Sequence, residues 1–332
     1  MRLKTIFIHN IIYGVVCSFI VSGCASSLQK KNIEPPRDVK EKLKIVKLSD
    51  QKQPQAKELK VVNTVQVEET IKAKPSKKGK KPAPEEKRIV QKEEVRVVKN
   101  PFKVGEIIKL DLYYIGIKAA TLTIEIKPFV EINGRKAFHF NGIAETSALM
   151  KLIYKAYDVI DCYVDHEKFV PLTMTLKMDE TKQNVSMVLN YDHEKQRSRF
   201  WKKRIDSKGE VTEIKRDDEF TRYAQDIFSS LYYMRTNDMK VGDKVQFVIH
   251  DNGKNWNMTL DVVKKERIWT RLGDVNTLVL HPTVERNGEK FTKGAMTLWV
   301  TDDEKKVPVR FEAEVKIGSM KGQIKDYIVP KE

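Results

Sequence analysis

From Phe102 onward, apolar and polar residues alternate over long stretches of the chain. Leu172, Met174, Leu176 and Met178 alternate with Thr173, Thr175 and Lys177, and Val309, Phe311, Ala313, Val315 and Ile317 alternate with Arg310, Glu312, Glu314 and Lys316. A period of two sends successive side chains to opposite faces of a strand, so each run predicts one buried and one wetted face. Asn133-Gly134, Asn252-Gly253 and Asn287-Gly288 fall between such runs. Asn-Gly supplies the positive φ angles of tight hairpins, and an antiparallel meander follows. One segment departs from this period. Phe220, Tyr223, Ala224, Ile227, Phe228 and Leu231 recur at helical spacing behind Asp217 and Asp218. Carboxylates suit a helix N-terminus, so an amphipathic helix is predicted over 218–234. The spacing also allows a shorter helix near Ser147–Tyr154.

The alternating region reads twice. Lys103-Val104-Gly105-Glu106 matches Lys240-Val241-Gly242-Asp243 at an offset of 137 residues, and at the same offset Asp165, Glu167, Lys168, Val170 and Pro171 match Asp302, Glu304, Lys305, Val307 and Pro308. Short turn motifs recur by chance, but a shared offset points to duplication. The expected fold is mainly β: antiparallel sheets forming an open barrel or sandwich over 101–330, with related halves 101–216 and 238–330 joined by the helix at 218–234.

Upstream the pattern is different. After Phe19 no aromatic residue occurs until Phe102, so the intervening stretch lacks the large side chains a core requires. Its Lys, Glu, Gln and Pro content, with a basic run at Lys72–Lys81, is that of a linker. Residues 24–100 are therefore expected to be a disordered basic tether, able to reach roughly 250 Å when extended. Its two β-branched patches, Val61–Val67 and Ile89–Val98, could pair with a sheet edge or a partner or stay unstructured.

Residues 1–23 carry Arg2 and Lys4 ahead of an apolar run from Ile6 to Ile20, which His9 and Asn10 interrupt. The next four residues, Val21-Ser22-Gly23-Cys24, resemble the bacterial lipobox, in which small residues precede a cysteine that is acylated before cleavage. An ordinary secretory signal or an uncleaved helix would also be apolar here. The short run and the polar stretch behind it favour a lipoprotein signal peptide, with lipidation at Cys24. The following residue is Ala25 and not aspartate, which under enteric-type sorting implies the outer membrane. Cys17 leaves with the signal, so Cys162 is the one thiol left after acylation and no intrachain disulfide can form. It shares a face with Ile160 and Val164 and reads as a buried core thiol.

Charge changes the picture once it is divided by segment. The whole chain is +16, but residues 25–100 hold 21 Lys+Arg against 11 Asp+Glu, whereas 101–332 hold 39 against 35. A β domain this close to neutral has no polyanion bias, which argues against a nucleic-acid partner. The tether's cations suit acidic lipid headgroups or wall polymers, or simply keep it solvated.

Catalytic chemistry is sparse. His139, His166, His193, His250 and His281 form no metal-ligand spacing, and neither a phosphate-binding glycine loop nor a nucleophile elbow occurs. No catalytic, metal or cofactor-binding residue is assigned. The strongest acidic candidates are Asp158, Asp161 and Asp165 with His166, and the run Asp302-Asp303-Glu304. Arg197, Arg199, Lys202, Lys203 and Arg204, interleaved with Phe200 and Trp201, suit either an acidic partner or an exposed amphipathic hairpin.

Phe102-Lys-Val-Gly-Glu106 with Leu112–Lys118, Tyr163-Val-Asp165 with Pro171, Gln225–Arg235, and Leu298–Asp303 with Pro308 together resemble the bacterial envelope family catalogued as domain of unknown function three-one-zero-eight. The resemblance covers nearly all of 101–330 and implies an exported β-rich domain without established catalytic residues. Two functions remain. One is a non-enzymatic binding or scaffold module, lipid-anchored in the cell envelope and holding a lipid, glycan or envelope-protein partner. The alternative is an envelope hydrolase or modifying enzyme, which would need one histidine and the Asp158–Asp165 carboxylates in a single cleft.

Overall fold

The structure is a computed structural model that describes residues 33–40, 44–48, 57–71, 86–286, 289–291, 295–315 and 318–330. The signal segment, Cys24 and the Asn287-Gly288 turn lie outside the described residues.

Within them the chain forms β1 (Ile45–Lys47), β2 (Glu58–Ile71), β3 (Glu86–Lys99), β4 (Ile107–Tyr114), β5 (Ile117–Ile132), β6 (Arg135–Thr146), β7 (Ala156–Asp165), β8 (Pro171–Glu180), β9 (Gln183–Asp192), β10 (Arg197–Asp206) and β11 (Val211–Glu219). These are followed by β12 (Lys244–Asp251), β13 (Lys254–Thr270), β14 (Gly273–Arg286), β15 (Glu289–Phe291), β16 (Met296–Thr301), β17 (Pro308–Glu314) and β18 (Ser319–Ile328). The helices are α1 (Arg37–Lys40) and α2 (Ser229–Arg235). A single 3-10 turn, Met150–Leu152, stands where the shorter helix was expected.

One antiparallel sheet runs in the order β11-β10-β9-β8-β7-β6-β5-β4-β18-β17-β16-β14-β13-β12, with β1 added to β5 and β15 to β14. Its two ends meet through side chains: Arg216 on β11 donates to Asn252 Oδ1 in the β12–β13 turn at 3.1 Å, and Ser198 Oγ on β10 lies 2.9 Å from His250 Nε2 on β12. Because the ends touch without a shared backbone ladder, the architecture is an open barrel.

The 137-residue offset reappears as structure. Shifted by that amount, β4 to β9 fall on β12, β13, β14, β16, β17 and β18, and each set is a six-strand meander. The β4–β5 turn places Ile115 and Gly116 at φ 48° and 77°, and the β12–β13 turn places Asn252 and Gly253 at 50° and 73°. Gly105 and Gly242 both take positive φ, and their N–H groups donate to Ile126 O and Val262 O at 2.7 and 2.8 Å. Both ladders also skip the residue after the proline: Val164 pairs with Pro171 and Tyr163 with Thr173, while Val300 pairs with Pro308 and Trp299 with Arg310. That bulge sends Leu172 into a small outer cluster with Val130, Ile132, Ala137 and Tyr163, whereas Met174 stays in the main core. Phe311 and Ala313 are buried as the alternation predicts. The β10–β11 hairpin extends the first meander and has no counterpart among the described strands of the second.

Two expectations need correction. Residues 218–234 are not one helix: β11 continues to Glu219, and α2 occupies only Ser229–Arg235. Arg199 and Ser198 pair with Asp217 and Asp218 in the β10–β11 ladder. Beyond them β12 takes the backbone, since Gln225 N donates to Val248 O and His250 N donates to Gln225 O. The helix begins where Asp226 Oδ1 accepts the N–H groups of Phe228 and Ser229, at 2.8 and 2.6 Å. Of the apolar stripe, Phe220, Ala224 and Phe228 are buried in the main core, Tyr223 is buried beside Val62 and Val170, and Ile227 and Leu231 pack half-buried against the core.

The second correction concerns the tether. β2 and β3 form a hairpin paired continuously from Glu58↔Lys99 to Ile71↔Glu86. Leu59 and Val61 enter the main core, and Val62 packs with Val170 and Tyr223. Val62 N donates to Lys168 O, and Asn63 Nδ2 donates to Gln246 O. The open seam beside β12 offers unpaired groups that the β-branched patch satisfies, so aliphatic residues without aromatics are enough to join the fold.

Candidate functional site

Strand alternation sets which side chains face inward near one end of the barrel. On β7 the inward set is Ala156, Asp158, Ile160, Cys162 and Val164, and on β8 it includes Met174, Met178 and Glu180. Asp158 pairs with Met178 and Ala156 with Glu180, so the two carboxylates are diagonal neighbours on one face. Tyr154 Oη and Gln183 Nε2 donate to Glu180 Oε2 at 3.0 and 2.6 Å, and Arg204 Nε donates to Gln183 Oε1 at 2.7 Å.

Both carboxyls are buried. Burial, reinforced by the nearby Glu180 and Asp179, pushes the Asp158 carboxyl up to about 8. Burial also pushes Glu180 to about 7 against the opposing hydrogen bonds from Gln183 and Tyr154. Lys202, facing the same group, is held below the ordinary lysine range by burial. Among the described residues Asp158 Oδ1 and Glu180 Oε1 have no hydrogen-bond partner, which costs a neutral carboxyl less than a carboxylate. Chemically this pair can hold and release a proton.

The expected acidic cluster is dispersed. Asp158 faces inward, whereas Asp161 is on the opposite face with His139 Nε2 at 2.7 Å and Asn141 Nδ2 at 2.8 Å. Asp165 caps the β7–β8 turn by accepting from Glu167 N and Lys168 N, and His166 packs against Phe129 and Phe138. In the second half, Asp303 caps its own turn, Asp302 pairs with Lys265 and Glu304 with Lys99. Among the described residues no three His, Cys, Asp or Glu side chains converge as a metal site requires.

The basic stretch on β10 is divided by the same alternation. Phe200 and Lys202 lie half-buried on the inward side, Arg204 farther along the strand is exposed, and Arg197 and Arg199 on the other side meet Asp217 at 2.8 and 3.7 Å. Cys162 is fully buried and donates to Asp226 Oδ2 at 3.2 Å; burial and then the adjacent Asp226 push its thiol well up. His193 holds Pro171 O through Nε2 at 2.7 Å and accepts from Tyr223 N, and burial lowers it to about 4.

The remaining interior is filled with rings. Phe140 stacks on Tyr232 at 3.6 Å between centroids, Phe102 on Phe169 at 5.6 Å and Phe138 on Phe140 at 5.5 Å. The Arg235 guanidinium lies 5.0 Å over Phe102. Sequence reading missed Glu180 as an interior group. The signal was present: Glu180 occupies the next inward position after Met178.

A family model described as protein of unknown function (DUF3108) matches residues 109–325. No curated protein matches the chain. Two crystal structures show a partial likeness to this chain. One is a beta-barrel-like protein of domain of unknown function DUF1849 from Brucella abortus, at 8% identity and TM-score 0.44, with 69% of this chain and 98% of that chain covered. The other is a candidate lipoprotein from Parabacteroides distasonis, at 12% identity and TM-score 0.30, with 68% and 96% covered.

Proposed function

The chain belongs to the family described as protein of unknown function (DUF3108), and on that premise we propose that it is a non-enzymatic scaffold or binding module, lipid-anchored in the cell envelope through Cys24. The observation that carries this reading is the filled barrel. A carrier of hydrophobic ligands keeps a lumen, whereas here Phe102, Phe138, Phe140, Phe169 and Tyr232 occupy the interior in ring-to-ring contact. Partners are then met on the outer surface. The separation of Asp158, Asp161 and Asp165 further supports a binding role over hydrolysis.

The anchor lies close to the domain in this reading. β1 already pairs with β5, so about 20 residues separate Cys24 from Lys44, which extended span at most roughly 70 Å. The +10 charge of residues 25–100 favours the neighbourhood of anionic headgroups or wall polymers, and the Ala25 that follows the lipidated cysteine favours the outer membrane.

Native mass spectrometry of the protein extracted from its own envelope tests the module. The acylated chain alone, or with a protein or glycan partner, is expected; a small molecule that stays bound until the barrel unfolds would overturn the scaffold reading. For the anchor, Cys24→Ser should leave an unacylated chain outside the detergent-extracted membrane fraction or an unprocessed precursor. Correct processing with unchanged membrane retention would remove the lipidation assignment.

A further inference from the structure

Hairpin connections alternate between the two ends of an antiparallel meander, so the connections β4–β5, β6–β7 and β8–β9 share one end. Hydrogen bonds tie them into a single rim. Ser147 N donates to Ala119 O at 2.8 Å and its hydroxyl to Lys118 O at 2.9 Å, while Thr181 N donates to Lys155 O at 2.8 Å. The 147–155 loop is held firmly, with Tyr154 buried on Glu180 and Lys151 N bonded to Ser147 O. Yet this ordered loop turns its aliphatic side chains outward: Leu149, Leu152 and Ile153 are 67%, 85% and 70% exposed, and Ile115 and Ile117 at the adjoining tip are 62% and 56% exposed. Apolar groups clustered this way on a soluble surface mark a contact site.

The surrounding charge indicates what the contact is. Residues 115–118, 147–155 and 181–182 carry Lys118, Lys151, Lys155 and Lys182 and no carboxylate. Glu145, Asp179 and Asp111 stand behind them on the strands and pair with Lys151, Lys155 and Lys118. Between Lys118 and Lys151 lies a hollow of about 400 Å³ whose walls include Thr146, Ser147 and Glu145. Aliphatic tips on separate turns, crowned by lysines whose stems can lie along the acyl boundary, fit a bilayer better than a flat protein partner. We propose that this rim, led by Leu152 and Ile153, is a membrane-docking surface that seats the barrel on an anionic phospholipid bilayer. The aliphatic tips enter the headgroup boundary, and Lys118 and Lys151 meet lipid phosphates. The proposal extends the anchored-module reading without resting on acylation.

The test uses the chain from Ala25 to Glu332, so that neither an acyl chain nor the apolar Ile6–Ile20 run contributes, in flotation with vesicles of phosphatidylethanolamine and phosphatidylglycerol. The chain is expected to float. Leu152→Ser with Ile153→Ser should weaken binding by about tenfold or more, because two apolar side chains no longer leave water. Lys118→Gln with Lys151→Gln should weaken it in a salt-sensitive way. Lys77→Gln with Lys78→Gln, Lys80→Gln and Lys81→Gln removes tether charge and should leave the dependence on Leu152 and Ile153 in place. The serine substitutions fall at exposed positions and should leave the melting temperature unchanged. Failure of the unacylated chain to float, or flotation of the double serine variant equal to its parent, would overturn the proposal. Either result leaves the acylation assignment to its own fractionation test.

Discussion

Arg235, at the end of α2, grips Glu106, just before β4, through two parallel bonds: Nη1 to Oε1 at 2.5 Å and Nη2 to Oε2 at 3.0 Å. Both side chains are almost wholly buried, and Arg235 Nε also donates to Lys305 O at 2.9 Å in the turn before β17. One guanidinium thus joins the helix to both halves of the barrel. Tyr327 Oη adds a bond to Glu106 Oε2, so the carboxylate is well satisfied.

Removing one partner strands the other charge in the core. Arg235→Met or Glu106→Gln should each cost about 3–5 kcal/mol, whereas Arg235→Met with Glu106→Leu should recover a large part of that loss. Urea unfolding of the single and double variants reads this directly, and additive losses would show that the two groups do not act as a pair.

The N-terminal hairpin should behave as part of the domain. Leu59→Ala is expected to cost about 2–4 kcal/mol, since Leu59 is 1% exposed within the main core. Limited proteolysis should leave a resistant fragment that retains the 57–71 segment, where composition alone predicts cleavage throughout 24–100. A core beginning near Phe102, with full stability, would contradict the packing of β2.

Above about pH 6.5, where the opposing effect of buried histidines such as His193 has run out, stability should fall as pH rises to about 8. Asp158 is raised to about 8, and Glu180 and Asp251 each to about 7, so over this window the folded state binds protons that the unfolded chain has released. The slope of unfolding free energy against pH is therefore negative there. Asp158→Asn should flatten it, with a relative gain on the order of 2 kcal/mol at pH 8. Thermal melts across the window check the sign; a slope unchanged in the variant would remove Asp158 as a cause.

Gly322 lies directly opposite Phe311 in the β17–β18 ladder, and a Cβ there would fall well inside contact distance of the Phe311 ring. Gly322→Ala should cost about 1–3 kcal/mol through the forced shift of the ring. Combining it with Phe311→Leu should lose less than the sum of the single losses, and strict additivity in denaturant melts would argue against that contact.

Much of the barrel was legible in the amino-acid order because its information is local. Alternation decides which face of a strand is apolar, Asn252-Gly253 decides where a hairpin turns, and one 137-residue offset carries both turn motifs into matching places in the two meanders. The buried state of Cys162 followed from the same period as Ile160 and Val164. Tertiary pairing decided the rest. The stripe from Phe220 to Leu231 has helical spacing, yet β12 claims the backbone of Gln225 and delays the helix to Ser229. The patch at Val61 looks like charged linker until the β7–β8 turn supplies Lys168 O to Val62 and β12 supplies Gln246 O to Asn63. Asp158 and Glu180 become neighbours only through the β7–β8 register, and Arg235 finds Glu106 across 129 residues of chain. Periodicity specifies which way a side chain points along its own strand; what it then meets depends on register, sheet curvature and seam closure, which are set by contacts distant in sequence.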